Sequence, residues 1–349
     1  MIRSLRLVDF RCFEALNLAL PPGSAVFVGE NAQGKTTLLE AACVLVRLHS
    51  PRTHRMAHLR RFEQSSFGVA GECWGQERRI SRGPEGLEMR VDGEVVDAQG
   101  DYLASGGLLV WMGNEDLELV RGAGEVRRRF LDFAATQLNS AYRRHLARYK
   151  RALKARNILL RERQLDEEQI EAYTSVLVEH GEELQRMRAA LVEQLTGPVA
   201  VAQEAVSGKR ESVELDYLGA GAGDLRSAFD QVSARERRQG MTLVGPHRDD
   251  VVFKLNGLAA SDFGSEGQQR TLALALKLGQ GQLLEQERGC APVYLIDDIF
   301  GELDTHRRNA LMECLPAHAQ QLITTTSLAW LGRESPPLYR VEGGTAHAE

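Results

Sequence analysis

Gly29-Glu30-Asn31-Ala32-Gln33-Gly34-Lys35-Thr36 is the stretch that decides the fold of this 349-residue chain. It fits the phosphate-loop pattern G-x-x-x-x-G-K-[ST]. The flanks fit as well. Ala25-Val26-Phe27-Val28 is a short apolar run bounded by Gly23 and Gly29, the pattern of a buried strand. From Thr36 to Leu48 the apolar residues Leu38, Leu39, Ala42, Leu45 and Val46 recur at helical spacing. Strand, glycine loop and helix therefore follow in order. Glycines let the backbone curl so that successive N–H groups face phosphate oxygens, and the helix N-terminus adds positive potential. Lys35 reaches the β- and γ-phosphates and the Thr36 hydroxyl ligates Mg²⁺ in this reading, with Thr37 beside them. ATP is the expected ligand.

A second carboxylate-bearing segment lies far along the chain. Val293-Tyr294-Leu295-Ile296 is apolar and ends in Asp297-Asp298. A buried strand ending in Asp delivers that side chain to the mouth of a parallel sheet, where ligands bind. Asp297 is the candidate Mg²⁺ ligand, and Asp298 the group that orients or deprotonates attacking water. About thirty residues earlier, Ser265-Glu266-Gly267-Gln268-Gln269-Arg270 opens a helix. Ser265 can cap it and Gly267 keeps the backbone open, which makes a second phosphate-facing helix N-terminus. Glu302-Leu303-Asp304 follows the strand-end acids.

Working outward, the chain divides in three. Residues 1–112 read as the N-terminal part of an ATPase lobe, with a strand over Ile2–Phe10, a partner near Asn17–Leu20 and short antiparallel strands over Ser66–Val96. Asp92-Gly93 marks a hairpin turn there. Leu108–Trp111 is a further strand. Residues 113–240 read as a helical lobe: two long helices from about Glu125 to Thr196 broken near Gln164–Asp166, an interruption at Gly197-Pro198, and helix resuming over Val199–Ser207. A strand over Glu211–Leu218 and a short helix to Gln239 complete it. Residues 241–349 return to α/β: strands at Val251–Leu255 and Pro292–Ile296, helices at Gln268–Arg288 and Asp304–Cys314, and Gln321–Thr325 as the last core strand. The expected fold class is α/β, a phosphate-loop ATPase lobe with an antiparallel β subdomain and an inserted helical lobe.

Composition agrees with a soluble globular protein: 43% hydrophobic, 26% charged, net charge -5. The five cysteines include no C-x-x-C pair, which argues against zinc and for reduced thiols. Met1-Ile2-Arg3-Ser4-Leu5-Arg6 lacks the apolar core of a signal peptide. No apolar run approaches the roughly 18–20 residues that span a bilayer. The expectation is a cytoplasmic protein with no membrane partner.

The order of phosphate loop, S-x-G-Q, hydrophobic-Asp-Asp and Glu-Leu-Asp resembles ATP-binding-cassette ATPases. That resemblance makes Ser265, Gly267 and Gln268 the signature motif, which contacts the γ-phosphate on another subunit's phosphate loop. One of each motif per chain then implies a homodimer sandwiching two ATPs.

More narrowly, the chain resembles the RecF family of recombination mediators, related to the structural-maintenance-of-chromosomes proteins. Five stretches carry the likeness: Leu7-Val8-Asp9-Phe10-Arg11, the phosphate loop, Arg127-Arg128-Arg129-Phe130-Leu131-Asp132, Gly245-Pro246-His247-Arg248-Asp249-Asp250, and Ser265–Arg270. The mechanical role of the Gly245–Asp250 run is not readable from sequence. His247 beside two acids has a metal site's composition, and a hydrogen-bonded loop is the preferred reading. The resemblance implies an ATP-driven dimer that clamps DNA during recombinational repair and replication restart, with RecR and, indirectly, RecO as partners in the response to DNA damage.

Three positions depart from wider cassette patterns. Gly113-Asn114-Glu115-Asp116-Leu117 stands where a nucleotide-sensing Gln loop is expected, leaving Asn114 or Glu115 to substitute. Thr324-Thr325-Thr326 replaces the His that transporters carry after the last strand. Asp298 replaces the Glu typical of transporters. It is one methylene shorter, so slow hydrolysis suited to a switch is expected, and transporter-like turnover would count against it.

DNA contacts rest on two basic clusters. Nine Lys or Arg lie between Arg143 and Arg163 against one acid, Glu162. Of these Arg144, Arg148 and Arg151 share a helical face, with Lys150 and Lys154 adjacent; the run also holds Arg156 and Arg161. Arg47, Arg52, Arg55, Arg60 and Arg61 form the second cluster. Such faces neutralise phosphates without reading bases. Tyr142 and Tyr149 are packing residues in preference to base-stacking ones. A transporter ATPase subunit is disfavoured by the missing His and the basic helical lobe. A chromosome-organising ATPase of the coiled-coil type is disfavoured by the absence of long heptad arrays.

Overall fold

The computed structural model describes residues 1–53, 55–208, 211–331 and 336–349. Its contacts divide the chain into two compact units, Met1–Asp116 with Ala205–Gly208 and Gln280–Glu349, and Leu117–Glu204 with Lys209–Gly279. The stretch 241–279, which motif order assigns to the C-terminal ATPase part, thus groups with the helical lobe, and the first boundary falls after residue 116 instead of 112.

In chain order the elements begin β1 (Ser4–Phe10), β2 (Phe13–Ala19), β3 (Ser24–Val28), α1 (Lys35–Arg47), β4 (Phe67–Cys73), β5 (Gln76–Gly83), β6 (Gly86–Val91), β7 (Glu94–Val95), α2 (Gln99–Ala104) and β8 (Leu109–Gly113). Next come α3 (Leu117–Arg121), α4 (Gly124–Leu138), α5 (Ser140–Leu159), α6 (Glu167–Ser207), β9 (Val213–Leu218), α7 (Leu225–Gln239), β10 (Asp250–Leu255), β11 (Leu258–Ala259) and α8 (Ala260–Phe263). The chain closes with α9 (Glu266–Arg288), β12 (Val293–Asp297), α10 (Thr305–Cys314), β13 (Gln321–Thr325), β14 (Leu338–Glu342) and β15 (Thr345–Ala348).

The first unit holds two six-stranded sheets. One is antiparallel, in the order β2-β1-β4-β5-β6-β7. Its strands alternate: Leu5, Leu7 and Phe10 of β1 face inward while Arg6 and Val8 face out. Asp92 and Gly93, at φ 50 and 86, make the expected tight turn between β6 and β7. The other sheet runs β15-β14-β3-β13-β12-β8, and β14, β3, β13, β12 and β8 are mutually parallel. Its inner strands β3, β12 and β13 are almost wholly buried, as parallel strands covered on both faces must be. Helix α1 contacts strands of both sheets, and its apolar residues are buried all round. Gln321–Thr325 is not the last core strand, because β14 pairs with β3 beyond it. Short strands with few apolar residues, such as Thr345–Ala348, carry too weak a periodicity to be read alone.

The second unit combines α3 to α8, save the last turn of α6, and the part of α9 up to Gly279 with a three-stranded sheet, β11-β10-β9. Between Glu125 and Thr196 there are three helices, not two: Asn139 separates α4 from α5 and caps α5 by accepting from the Ala141 N–H at 2.8 Å. Gly197-Pro198 does not interrupt α6, which runs 41 residues through Pro198. A mid-helix Pro costs about 3 kcal/mol, and packing offsets it. Val199 and Val206 are fully buried, and Gly279 comes so close to Val199 that a Cβ would sit 2.9 Å from its backbone nitrogen.

The two runs Arg127–Asp132 and Gly245–Asp250 meet in one buried polar network. Arg188, 2% exposed, donates to Asp132 (2.7 Å), Asp249 (2.9 Å), the Pro246 carbonyl (2.6 Å) and the Tyr142 hydroxyl (2.8 Å). Asp249 also accepts from Tyr217, from Gln185 at 2.8 Å and from the Ala220 N–H at 2.9 Å. Arg127 grips both Asp250 oxygens, at 2.6 and 2.9 Å. His247 bonds the Tyr149 hydroxyl at 2.7 Å and the Thr242 carbonyl at 3.0 Å. The Gly245–Asp250 run is therefore a hydrogen-bonded loop. Among the described residues no three His, Cys, Asp or Glu side chains converge as a metal site.

Two predictions follow from these contacts. Asp249→Ala leaves the Arg188 charge buried with one fewer acid, so it should destabilise the fold by about 3–5 kcal/mol in urea unfolding; a loss under 1 kcal/mol would show the network to be dispensable. Burial pushes the His247 imidazole down to about 4, against an unfolded value of about 6.5. The unfolded chain binds the extra proton between those values. His247 thus gives full stability above about pH 6.5 and costs about 3 kcal/mol as pH falls to about 4. His247→Gln should flatten the stability profile in that window, and an unchanged slope would refute the assignment.

Candidate nucleotide-binding site

All phosphate-loop residues lie in the first unit, between β3 and α1. Gly34 is the α1 N-cap at φ 111, a conformation that side chains rarely adopt. Gly29 lies against β14: an added Cβ would stand 2.3 Å from the Val341 carbonyl oxygen. Ala32 takes φ 66, while Glu30, Asn31 and Ala32 are exposed. Gln33 accepts from the Gly343 N–H at 2.8 Å, so the turn after β14 buttresses the loop. Lys35 donates to the Gly29 and Glu30 carbonyls, at 2.9 and 2.7 Å. Burial lowers the Lys35 ammonium, and Asp298 and Asp297 oppose that.

Strand register supplies the acids. Asp297 pairs with Gly113 of β8 and Thr324 of β13, and Thr325 pairs with Val28 at the end of β3. Thr36 Oγ1 reaches Asp297 Oδ1 at 2.8 Å, and Thr324 Oγ1 donates to the same oxygen at 2.7 Å. Burial raises the Asp297 carboxyl, against these two hydrogen bonds. A hydroxyl and a carboxylate so placed are the hard oxygen donors that Mg²⁺ takes, so the residues fit the ion. Asp298 follows in the left-handed region at φ 49, its N–H donating to the Thr324 carbonyl and hydroxyl. Burial raises its carboxyl, and Lys35 is the leading opposing charge.

Asn114 and Glu115 occupy the strand end after β8. Asn114 Nδ2 donates to the Asp298 carbonyl at 3.3 Å, whereas Glu115 accepts from the Trp111 indole at 2.7 Å. Asn114 is therefore the one bonded to the acidic strand end. Asp304 caps α10 by accepting from the Arg307 N–H at 2.9 Å. A cavity of about 620 Å³ opens over the loop, lined by Lys35, Thr36, Thr37 and Asp298 together with Arg11 and Arg52.

The signature residues lie in the second unit. Ser265 and Gln268 form a reciprocal capping box: the Gln268 N–H donates to Ser265 Oγ at 3.3 Å, and the Ser265 N–H to Gln268 Oε1 at 3.0 Å. Gln268 also donates to Glu211 at 2.9 Å, which commits its carboxamide to the helix start. Ser265 is exposed and Gly267 partly so.

The basic clusters sort by burial. Arg144, Arg148, Lys150, Arg151, Lys154 and Arg161 are exposed. Arg156 is not part of that face: it is 3% exposed and pairs with the fully buried Glu236 at 2.6 Å. Arg47 is likewise buried, donating to the Gly107 carbonyl at 3.3 Å. Helical spacing alone could not separate them, since distant partners decide each case: a buried acid for Arg156 and backbone carbonyls for Arg47. Tyr142 and Tyr149 are buried at 0% and 2%, as packing residues. Thr324 and the β14–β15 turn escaped assignment to the site. Thr324 had a signal, its place at the end of a core strand; the turn, more than 300 residues from Gln33, had none.

A family model described as AAA domain matches residues 4–91. The DNA replication and repair protein RecF of Synechococcus sp. (strain JA-3-3Ab) is 37% identical over 95% of this chain and 93% of its own length. Its namesake from Oceanobacillus iheyensis is 33% identical over 99% of this chain and all of its own length. The solved recombination mediator protein RecF-ATPrS in the RecFOR pathway superposes with a TM-score of 0.89 at 27% identity, covering all of this chain and 98% of that one. The Smc head domain from Pyrococcus furiosus shares the fold, with a TM-score of 0.56 at 15% identity. Extending over nearly the full length at this identity, the likeness carries one conclusion: the chain belongs to the RecF family.

Proposed function

We propose that this protein is an ATP-dependent, DNA-binding recombination mediator in DNA repair and replication restart, whose ATP-bound homodimer clamps DNA and whose slow hydrolysis releases it. The observation that carries the ATP reading is the 2.8 Å contact between Thr36 and Asp297 at the carboxyl end of the parallel sheet. The DNA reading draws on membership of a family whose curated relatives are named for DNA replication and repair. It draws also on the exposed Arg144, Arg148 and Arg151 face.

In this reading the loop N–H groups and Lys35 hold the triphosphate. Thr36 and Asp297 would hold Mg²⁺, which supplies charge neutralisation on the phosphates when bound. Asp298 orients water and takes its proton; a carboxyl raised by burial is a better base than an exposed one. Ser265 and Gly267 of a second copy complete the site. Gln268 acts through its cap on Ser265. RecR, with RecO, is the partner in loading recombinase at gaps. The proposed place of work is the cytoplasm; among the described residues no helix is long and apolar enough to cross a membrane.

The test is to size the protein with and without ATP and to measure its affinity for gapped DNA. Wild type should dimerise with ATP and bind DNA more tightly; Lys35→Met should do neither. If ATP leaves the wild type monomeric and its DNA affinity unchanged, the clamp reading is wrong. Asp298→Asn should retain ATP binding and dimerisation while kcat falls about 10²-fold or more. Unimpaired turnover in that variant would exclude Asp298 as the base.

A further inference from the structure

Asp298, the residue after β12, has a backbone conformation that its surroundings must impose. Its φ of 49 is in the left-handed region, uncommon for a residue with a side chain. Such a conformation persists where neighbouring structure over-determines it. On the strand side, the Asp298 N–H is fixed by the Thr324 carbonyl at 3.2 Å and hydroxyl at 3.0 Å. On the other side, one aromatic side chain, Trp330, touches both of the segments that flank the carboxylate.

The first of these is the chain leaving Asp298. The Trp330 ring stacks on Phe300, with centroids 4.2 Å apart and planes inclined by 12°. Phe300 lies two residues past Asp298, is fully buried, and opens the short turn Phe300–Glu302. A stacked aromatic pair is favourable beyond the area it buries. The second segment is the turn after β13. The Trp330 indole N–H donates to Thr325 Oγ1 at 3.0 Å. The same hydroxyl donates to the Ser327 carbonyl at 2.9 Å and accepts from the Ser327 N–H at 3.3 Å, which closes the turn. Within it lies Thr326, whose main-chain N–H bonds the Asp298 carboxylate. One side chain thus joins the chain leaving Asp298 to the turn that orients its carboxyl group.

We infer that Trp330 is a positioning residue for hydrolysis: it clamps Phe300 to the Thr325–Ser327 turn and so holds the Asp298 carboxylate in line for the attacking water. This rests on the reading of Asp298 as the base. A reacting group misplaced by about 1 Å can cost about 10²-fold in rate. The cavity over the phosphate loop is lined by other side chains, so ATP should bind equally well without the indole.

The experiment is single-turnover ATP hydrolysis by the full chain with Mg²⁺, which gives a rate at saturating ATP and a half-saturating concentration. Trp330→Ala should lower the rate about 10- to 100-fold and leave the half-saturating concentration unchanged. Trp330→Phe keeps a ring on Phe300 without the indole donor, and its rate should fall between those of the wild type and Trp330→Ala. In an Asp298→Asn background, Trp330→Ala should slow hydrolysis no further, because the group it positions is already gone. A merely structural role would instead give a second, multiplying loss in that background. That result would overturn the inference, as would a wild-type rate in Trp330→Ala or a loss confined to the half-saturating concentration. Unimpaired turnover in Asp298→Asn alone would overturn the base reading beneath it.

Discussion

The parallel register of β3, β13 and β12 is the constraint from which the rest of the site descends. It brings the end of β3, where the phosphate loop begins, level with Thr324 and Asp297. Parallel strands carry their carboxyl ends to the same edge, so loop, helix N-terminus and strand-end acids collect there without any local signal linking them. A slip of one residue in β12 would turn Asp297 to the opposite face of the sheet. The buried α1 between the sheets and the β14 backbone against Gly29 both hold that edge in place.

The second unit is organised by charge as much as by apolar contact. Arg188 and Arg156 are both nearly inaccessible, and each has its carboxylate partner: Asp132 and Asp249 for one, Glu236 for the other. Such pairs contribute little net stability over well-packed apolar groups, yet removing one member is costly because the other charge stays buried. Their effect is geometric. Arg188 on α6 connects residues of α4, α5 and the Gly245–Asp250 loop, so these parts take up one arrangement together. That accounts for the Arg127–Asp132 and Gly245–Asp250 runs without any catalytic role.

Glu40 plays a related part in the first unit. One buried carboxylate gathers Arg11, Ser50 and Arg52, which sets the segment bearing His58, Arg60 and Phe62 along the cavity. The cations of this segment are thereby divided between structure and ligand. Arg47 is spent on backbone carbonyls, whereas Arg52 stays exposed beside the loop.

The sequence by itself determined the phosphate loop, the strand before it, the helix after it, and the apolar strand ending in Asp297-Asp298. Each is written in fewer than about twenty consecutive residues, and backbone sterics and periodicity act over that range. The helix start at Ser265 was equally local, because a capping box spans four positions. Only the tertiary structure decided that Thr36 meets Asp297, 261 residues away, and that the β14–β15 turn supports Gln33. It alone took Arg47 and Arg156 out of the basic surface and carried α6 straight through Pro198. In each case the outcome turned on burial against residues distant in sequence. A charge, a proline or a threonine acquires its role from those neighbours, and a single chain read in order does not contain them.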